Sequence, residues 1–253
     1  DGILYESHPE ISVKNAWTHE KVKSELAKMR KLGLEPIPKM NFSTTHDLWL
    51  GEYSRMVSTD IYYKVCRDLI REVCYLFDYP RFFHLGMDEE TANHQRNMNY
   101  VVLRQNDLWW GDLYFFLGEV EKNGVRPWVW SDYAWHHPET YFRKMPKSVL
   151  QSNWYYGSRF DWEKEGVDEK SVNWKTYVKL YNDLEEHGYD QLPTGSNHSN
   201  EQNFGATVDY CKKVIDPSRL YGFMTAPWRP TLAPCLECHK EAIAQVATAK
   251  KAY

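Results

Sequence analysis

The chain has 253 residues, 42% of them hydrophobic and 26% charged, with 31 basic against 35 acidic side chains and a formal charge of −4. That is the composition of a globular protein with a sizeable core, which excludes a disordered or collagen-like chain. The absence of any Lys/Arg-rich run argues against a nucleic-acid partner, and apolar stretches only a few residues long fall far short of the roughly twenty that span a bilayer.

In chain order, a short apolar run at Ile3 to Tyr5 comes first. Val22, Leu26, Met29 and Leu32 then recur at helical spacing between Thr18, a good N-cap, and Gly33, a good C-terminal stop. Glu35 to Met40 reads as a strand. A second helix follows from Ser58 to Phe77, with Ile61, Val65, Leu69, Val73 and Leu76 on one face. Phe82 to Leu85 is a strand, and after a long loop a helix runs from about Leu108 to Asn123, stopped by Gly124.

The alternation continues with strands at Pro127 to Trp130, Val149 to Asn153, Tyr189 to Pro193 and Leu220 to Met224. Helices are expected at Asn173 to His187, Phe204 to Ile215 and Cys235 to Tyr253. Strands separated by helices of this length predict an α/β fold, a parallel sheet covered by helices. The best fit is a (β/α)8 TIM barrel with its first strand missing or truncated, in a single domain spanning 1–253. No glycine-rich phosphate loop follows a strand, as an open dinucleotide-binding sheet would require, and no Pro/Gly/Ser-rich linker interrupts the chain.

Five cysteines, Cys66, Cys74, Cys211, Cys235 and Cys238, are too few for a disulfide scaffold. Cys235 to His239 spells C-x-x-C-H, the pattern of covalent haem attachment, but two thiols at a helix start explain it without a haem. The chain begins at Asp1 rather than Met, as it would after removal of a leader, which leans towards a secreted or periplasmic protein.

In a β/α barrel the chemistry gathers at the carboxyl ends of the strands. Those ends carry Asn41, His46, Asp47 and Trp49; His84, Asp88, Glu89 and Glu90; Trp130, Asp132 and Trp135; Asn153, Trp154, Tyr155 and Tyr156; Asn197, His198 and Glu201; and Trp228 with Arg229. Acids, histidines and aromatics in such a series suit a sugar, whose C–H faces stack on rings and whose hydroxyls need polar partners. Within His84-Leu85-Gly86-Met87-Asp88-Glu89-Glu90, crowding of like charge is expected to keep one carboxyl protonated beside an ionised neighbour. Glycosidic cleavage uses such a pair.

His84-x-Gly86-x-Asp88-Glu89 resembles the H-x-G-x-D-E signature of the β-N-acetylhexosaminidases, glycoside hydrolase family twenty, at what would be the end of the fourth barrel strand. Leu34 to Pro38 is similar to that family's third strand and Trp128 to Asp132 to its fifth. Asp1-Gly2 through Pro9-Glu10 is similar to the loop after its first strand. The resemblance implies a retaining hydrolase in which the substrate's own acetamido group attacks the anomeric carbon. Asp88 would orient that group and Glu89 would be general acid, then base. The resemblance further implies a substrate site of Trp130, Trp154 and Trp228 as walls, with His84 and Asp132 holding its polar network; His46, Tyr156 and Arg229 complete the candidate binding set.

The chain departs from the family pattern at three places. Lys39, Asn41 and Ser43 to Thr45 stand where an acidic pair and Pro-Gly precede the histidine. Gly195 to Asn200 replaces the Tyr and Asp that bind the substrate, and Arg229-Pro230 replaces an acidic residue after Trp228.

Two other functions fit the same residues. One is a retaining glycosidase with Glu201 as protein nucleophile, which needs carboxyl groups about 5 Å apart. The other is a barrel that binds glycans without cleaving them. A metal-dependent hydrolase could draw on His46, His84, His136, His137 and His198, but their spacing matches no ligand motif, so no metal and no cofactor is expected. The expected partner is an oligosaccharide or glycoconjugate substrate.

Overall fold

The computed structural model describes residues 2–164 and 172–251. The chain divides into two compact units, 1–129 and 130–253. In the first, helix α1 (His19–Lys31) starts where the Thr18 hydroxyl accepts the Lys21 N–H, and Gly33, at φ +76°, lets the chain turn away after it. Helix α2 (Asp60–Leu76) is capped in the same way by Thr59. Val22 and Leu26 of α1 pack against Leu76 of α2. The apolar stripe read from sequence outlasts that contact, because Met29 and Leu32 are exposed, as is Ile61 on the first turn of α2. The buried face of α2 carries Tyr62, Val65, Cys66, Leu69, Ile70, Val73 and Cys74. Helix α3 (Asp107–Lys122) packs on it, placing Phe116 against Tyr62 and stacking it on Phe42 at 4.6 Å.

Strand β1 (Phe82–His84) is buried throughout, as an apolar parallel strand covered on both faces must be. It pairs in parallel with the start of β2 (Arg126–Trp130), Phe83 opposite Pro127 and His84 opposite Trp128. On the other side the expected Glu35 to Met40 strand is reduced to one parallel bridge, Lys39 to His84. Ile3 likewise makes only a bridge, to Trp17.

In the second unit, Ser131 N–H donates to Ser152 O of β3 (Leu150–Ser152), and Gln151 bridges in parallel to Gln191, which bridges in turn to Leu220. The strands expected at Tyr189 to Pro193 and Leu220 to Met224 shrink to these bridges and to the pair β4 (Thr194–Gly195) and β5 (Met224–Thr225), also parallel. Two short helices, α4 (Tyr133–His136) and α5 (Pro138–Lys144), precede β3, and α6 (Val172–Glu186) precedes β4. Helix α7 (Asn203–Val214) lies between β4 and β5, and α8 (Leu236–Lys251) follows them. The two residues after Lys251 lie outside the described residues. Val178 and Tyr181 of α6 pack with Cys211 of α7, Ile215 and Tyr155 to form this unit's core.

The expected parallel β/α alternation is present. A closed eight-stranded barrel is not: among the described residues the strands are two to five residues long, and their pairings do not close a ring. Runs this short leave each strand only one to three ladder partners, so single bridges take over where the sequence reads as a full strand. Among the described residues no helix is long and apolar enough to cross a membrane.

Candidate active site

The chain leaves β1 through a turn in which Gly86, Met87 and Glu89 all have positive φ, +72°, +74° and +56°. For Met and Glu this backbone is unfavourable and persists only where the surroundings impose it. Three contacts impose it here. The buried His84 accepts the Gly86 N–H on Nδ1 at 2.9 Å, Asn41 Oδ1 accepts the Met87 N–H at 3.2 Å, and Thr45 Oγ1 donates to Glu89 O at 2.7 Å. The Asn41 side chain occupies the space where a residue other than glycine at position 86 would put its Cβ, 2.0 Å from Asn41 Oδ1 and 2.8 Å from Asn41 Cα. Gly86→Ala is therefore expected to displace Asn41 and release Asp88, lowering stability by about 1–3 kcal/mol. Thermal unfolding of the variant measures this.

Asn41 also holds the first carboxylate, its Nδ2 donating to Asp88 Oδ1 at 2.7 Å. His46 faces both acids, with Nε2 3.5 Å from Asp88 Oδ2 and 3.3 Å from Glu89 Oε2. Asp88 is buried, whereas Glu89 is partly open to solvent and His46 is exposed. On the far side of Glu89, His94 Nε2 lies 3.4 Å from Oε1.

The third acid is elsewhere. Glu90 accepts two hydrogen bonds from the buried Arg104 guanidinium, at 3.0 and 2.6 Å, and one from the Thr44 N–H. Arg104 also donates to Asp112 at 3.1 Å and to Phe42 O at 2.6 Å. Asp112 accepts from Ser58 and Tyr63 in addition. The Asp-Glu-Glu run is thus a pair, Asp88 and Glu89, that shares His46, and a single acid turned into the core against Arg104.

At Glu89 this arrangement runs against the expectation that crowding keeps a carboxyl of the run protonated. Glu90 has its own cation, and Glu89 is held below the usual carboxylate range by its hydrogen bond to His46, against the effect of burial, with the charges of His94 and His46 adding to it. Burial disfavours charge on His46, but the hydrogen bond to Glu89 and the charges of Asp88 and Glu89 outweigh it and raise its pKa. His84 is pushed well below the ordinary histidine range by burial and by nearby Lys39, so its ring is neutral beneath the turn. Lys39 is itself lowered by burial, partly offset by Asp88. Among the described residues, His46, Asp88 and Glu89 are also the one group whose donor atoms, all within 4.8 Å of one another, are close enough for a cation to bridge.

The second unit gathers the aromatic candidates. Trp154 stacks on Tyr156 at 5.1 Å, Tyr156 meets Trp228 edge-on at 6.4 Å, and Trp228 lies 6.3 Å from Trp130. Trp135 extends the run, 4.5 Å from Trp154 and 3.8 Å from Tyr177, its Nε1 donating to Asn153. Trp130 is buried and Trp228 about half exposed, with φ +48°. Asp132 is buried immediately before α4, and Arg229 is exposed. Glu201 is exposed and lines a groove of about 600 Å³ together with residues of α7 and α8, among them Lys212 and Glu241.

Sequence reasoning missed His94, Arg104 and the buried Gln95, which donates to Thr44 and Thr45 beside the acidic turn. Only a local signal existed for His94, its closeness in sequence to the acidic run.

No protein-family model matches the chain and no curated protein matches it. Solved structures do. A GH20 exo-β-N-acetylglucosaminidase from Vibrio harveyi, in complex with N-acetylglucosamine, superposes with a TM-score of 0.62 at 15% identity, covering 92% of this chain and 41% of the enzyme. The chitobiase of Flavobacterium johnsoniae gives a TM-score of 0.56 at 15% identity, over 98% of this chain and 45% of its own. The pneumococcal virulence factor StrH, solved in a study of N-glycan recognition and hydrolysis, gives 0.54 at 15%, over 94% and 64%. The chain thus has a fold similar to that of these GH20 enzymes, at 15% sequence identity, and it spans less than two thirds of their length.

Proposed function

We propose that this chain is a glycosidase of the β-N-acetylhexosaminidase type, acting with retention on an oligosaccharide or glycoconjugate that carries a 2-acetamido sugar. The observation that carries the reading is the Asp88/Glu89 pair on its left-handed turn, Asp88 gripped by Asn41 and Glu89 by His46. Asp88 orients the acetamido group and stabilises the positive charge that develops as its oxygen attacks the anomeric carbon. Glu89 gives a proton to the leaving oxygen and then takes one from water. The second unit holds an aromatic run of its own, Trp154, Tyr156 and Trp228 with Trp130 behind it, of the kind that packs on a sugar's C–H faces, and Arg229 is exposed next to Trp228.

The proton balance sets the pH dependence. Glu89 is lowered and His46 raised, so between their two titrations the pair holds one proton, mostly on the imidazole. Below the lowered Glu89 pKa the acid is fully protonated. Above the raised His46 pKa the pair has nothing to donate. Accordingly, kcat/KM is expected to fall in two steps as pH rises, the first below the usual carboxylate range and the second above the ordinary imidazole value of about 6.5.

Release of the aryl group from aryl β-glycosides, assayed with and without EDTA, tests the reading. Turnover that survives the chelator supports it. Turnover that is lost and then restored by a divalent cation would assign His46, Asp88 and Glu89 to a metal, and glycan binding with no turnover of any substrate would make the chain a lectin-like module.

A further inference from the structure

His94 is marked by no motif, yet it stands against the proposed acid. Glu89 lies between two imidazoles, one for each oxygen: His46 Nε2 at 3.3 Å from Oε2 and His94 Nε2 at 3.4 Å from Oε1. The His94 ring is held in place. Its Nδ1 lies 2.8 Å from Thr91 Oγ1, and that same hydroxyl oxygen accepts the His94 N–H at 3.2 Å. Thr91 N–H in turn donates to Glu89 O at 2.7 Å, so one residue anchors both the backbone of the acid and the ring that faces it. With the Thr91 hydroxyl donating to Nδ1, the neutral ring carries its proton on Nε2 and can donate to Glu89. The imidazolium can do so as well.

We propose that His94 is a positioning residue for Glu89, fixing its second carboxylate oxygen and setting, together with His46, the pH at which Glu89 takes up its proton. The other charges around the acid in this unit are Asp88 beside it, Lys39 behind Asp88, and Glu90, which Arg104 neutralises. Both histidines lie within ion-pair distance of Glu89, and a positive charge on His94 favours the ionised form of the acid. His94 is exposed, so its substitution removes a partner of Glu89 without opening the core.

This inference deepens the glycosidase reading but has a test that needs no turnover. In the chain labelled with 13C at glutamate carboxyls, with the Glu89 resonance assigned through Glu89→Gln, the Glu89 titration midpoint is expected to rise by about half to one pH unit in His94→Gln. Thr91→Val, which keeps the imidazole but frees it, should raise the midpoint by less. The lower step of the kcat/KM profile should move up with the carboxyl midpoint, while the upper step, belonging to His46, stays. A Glu89 midpoint unchanged in His94→Gln, with unfolding unaltered, overturns the inference. A chain that hydrolyses no glycoside overturns the proposed function, and the carboxyl titration still decides the role of His94.

Discussion

Glu89→Gln is expected to lower kcat/KM for an aryl glycoside with a poor leaving group by about 10²- to 10⁴-fold, the usual contribution of a positioned acid. The reason lies in the leaving oxygen. An alkoxide or a simple phenolate is too basic to depart without a proton, and Gln cannot supply one. A dinitrophenyl glycoside departs without help, so for that substrate the first step should lose far less. The variant keeps the size of the side chain and can still meet His46 and His94, now as a neutral amide. Steady-state kinetics across a series of phenols reads the difference as a steeper dependence on leaving-group pKa in the variant. Equal losses across the series would mean that position 89 matters for binding or folding and not for proton transfer.

The second large effect concerns stability. Arg104→Met should cost about 3–5 kcal/mol, the range for breaking a buried ion pair by removing one partner, and lower the melting temperature by about 10 °C or more. The guanidinium is almost fully buried and binds Glu90, Asp112 and Phe42 O at once, so its loss leaves two carboxylates without their cation in a low-dielectric interior. Glu90→Gln alone should cost less, because an amide can still accept from Arg104. The double variant should be less destabilised than the sum of the two, since each removes the other's unpaired charge. Activity should fall along with stability. Glu90 and Arg104 tie the Phe42 to Thr44 segment to the turn that carries Asp88 and Glu89, and loosening that tie misplaces both acids. Thermal unfolding and kcat measured on the same samples separate the two consequences.

The parts of the site that were legible in the sequence are those set by neighbours along the chain. An apolar strand, a glycine that alone fits beside Asn41, and the acids after it lie within a few residues of one another, and the local geometry follows from them. Thr18, Thr59 and Gly33 mark helix ends for the same reason. What was not legible depends on distant partners. Nothing around Glu90 shows that Arg104, fourteen positions on, will take it into the core and leave two acids where the sequence shows three. That displacement, and the two histidines around Glu89, reverse the electrostatics expected from an Asp-Glu-Glu run. Exposure of Ile61, Met29 and Leu32 shows the limit of periodicity, which marks an apolar stripe but not how far the partner helix extends along it. The strand runs around Gln191 and Leu220 show another, since hydropathy does not distinguish a ladder from a single bridge.

In the proposed reaction Asp88 and Glu89 cleave a bond whose sugar supplies its own nucleophile. The most direct test of this is the ratio of kcat/KM for two aryl β-glycosides that differ only in bearing a 2-acetamido or a 2-hydroxyl group. An intramolecular nucleophile in place is worth many orders of magnitude in effective concentration, so the acetamido substrate should be favoured by about 10²-fold or more, with the preference collapsing in Asp88→Asn. Comparable rates for both sugars would overturn that reading and point to attack by a protein carboxylate instead.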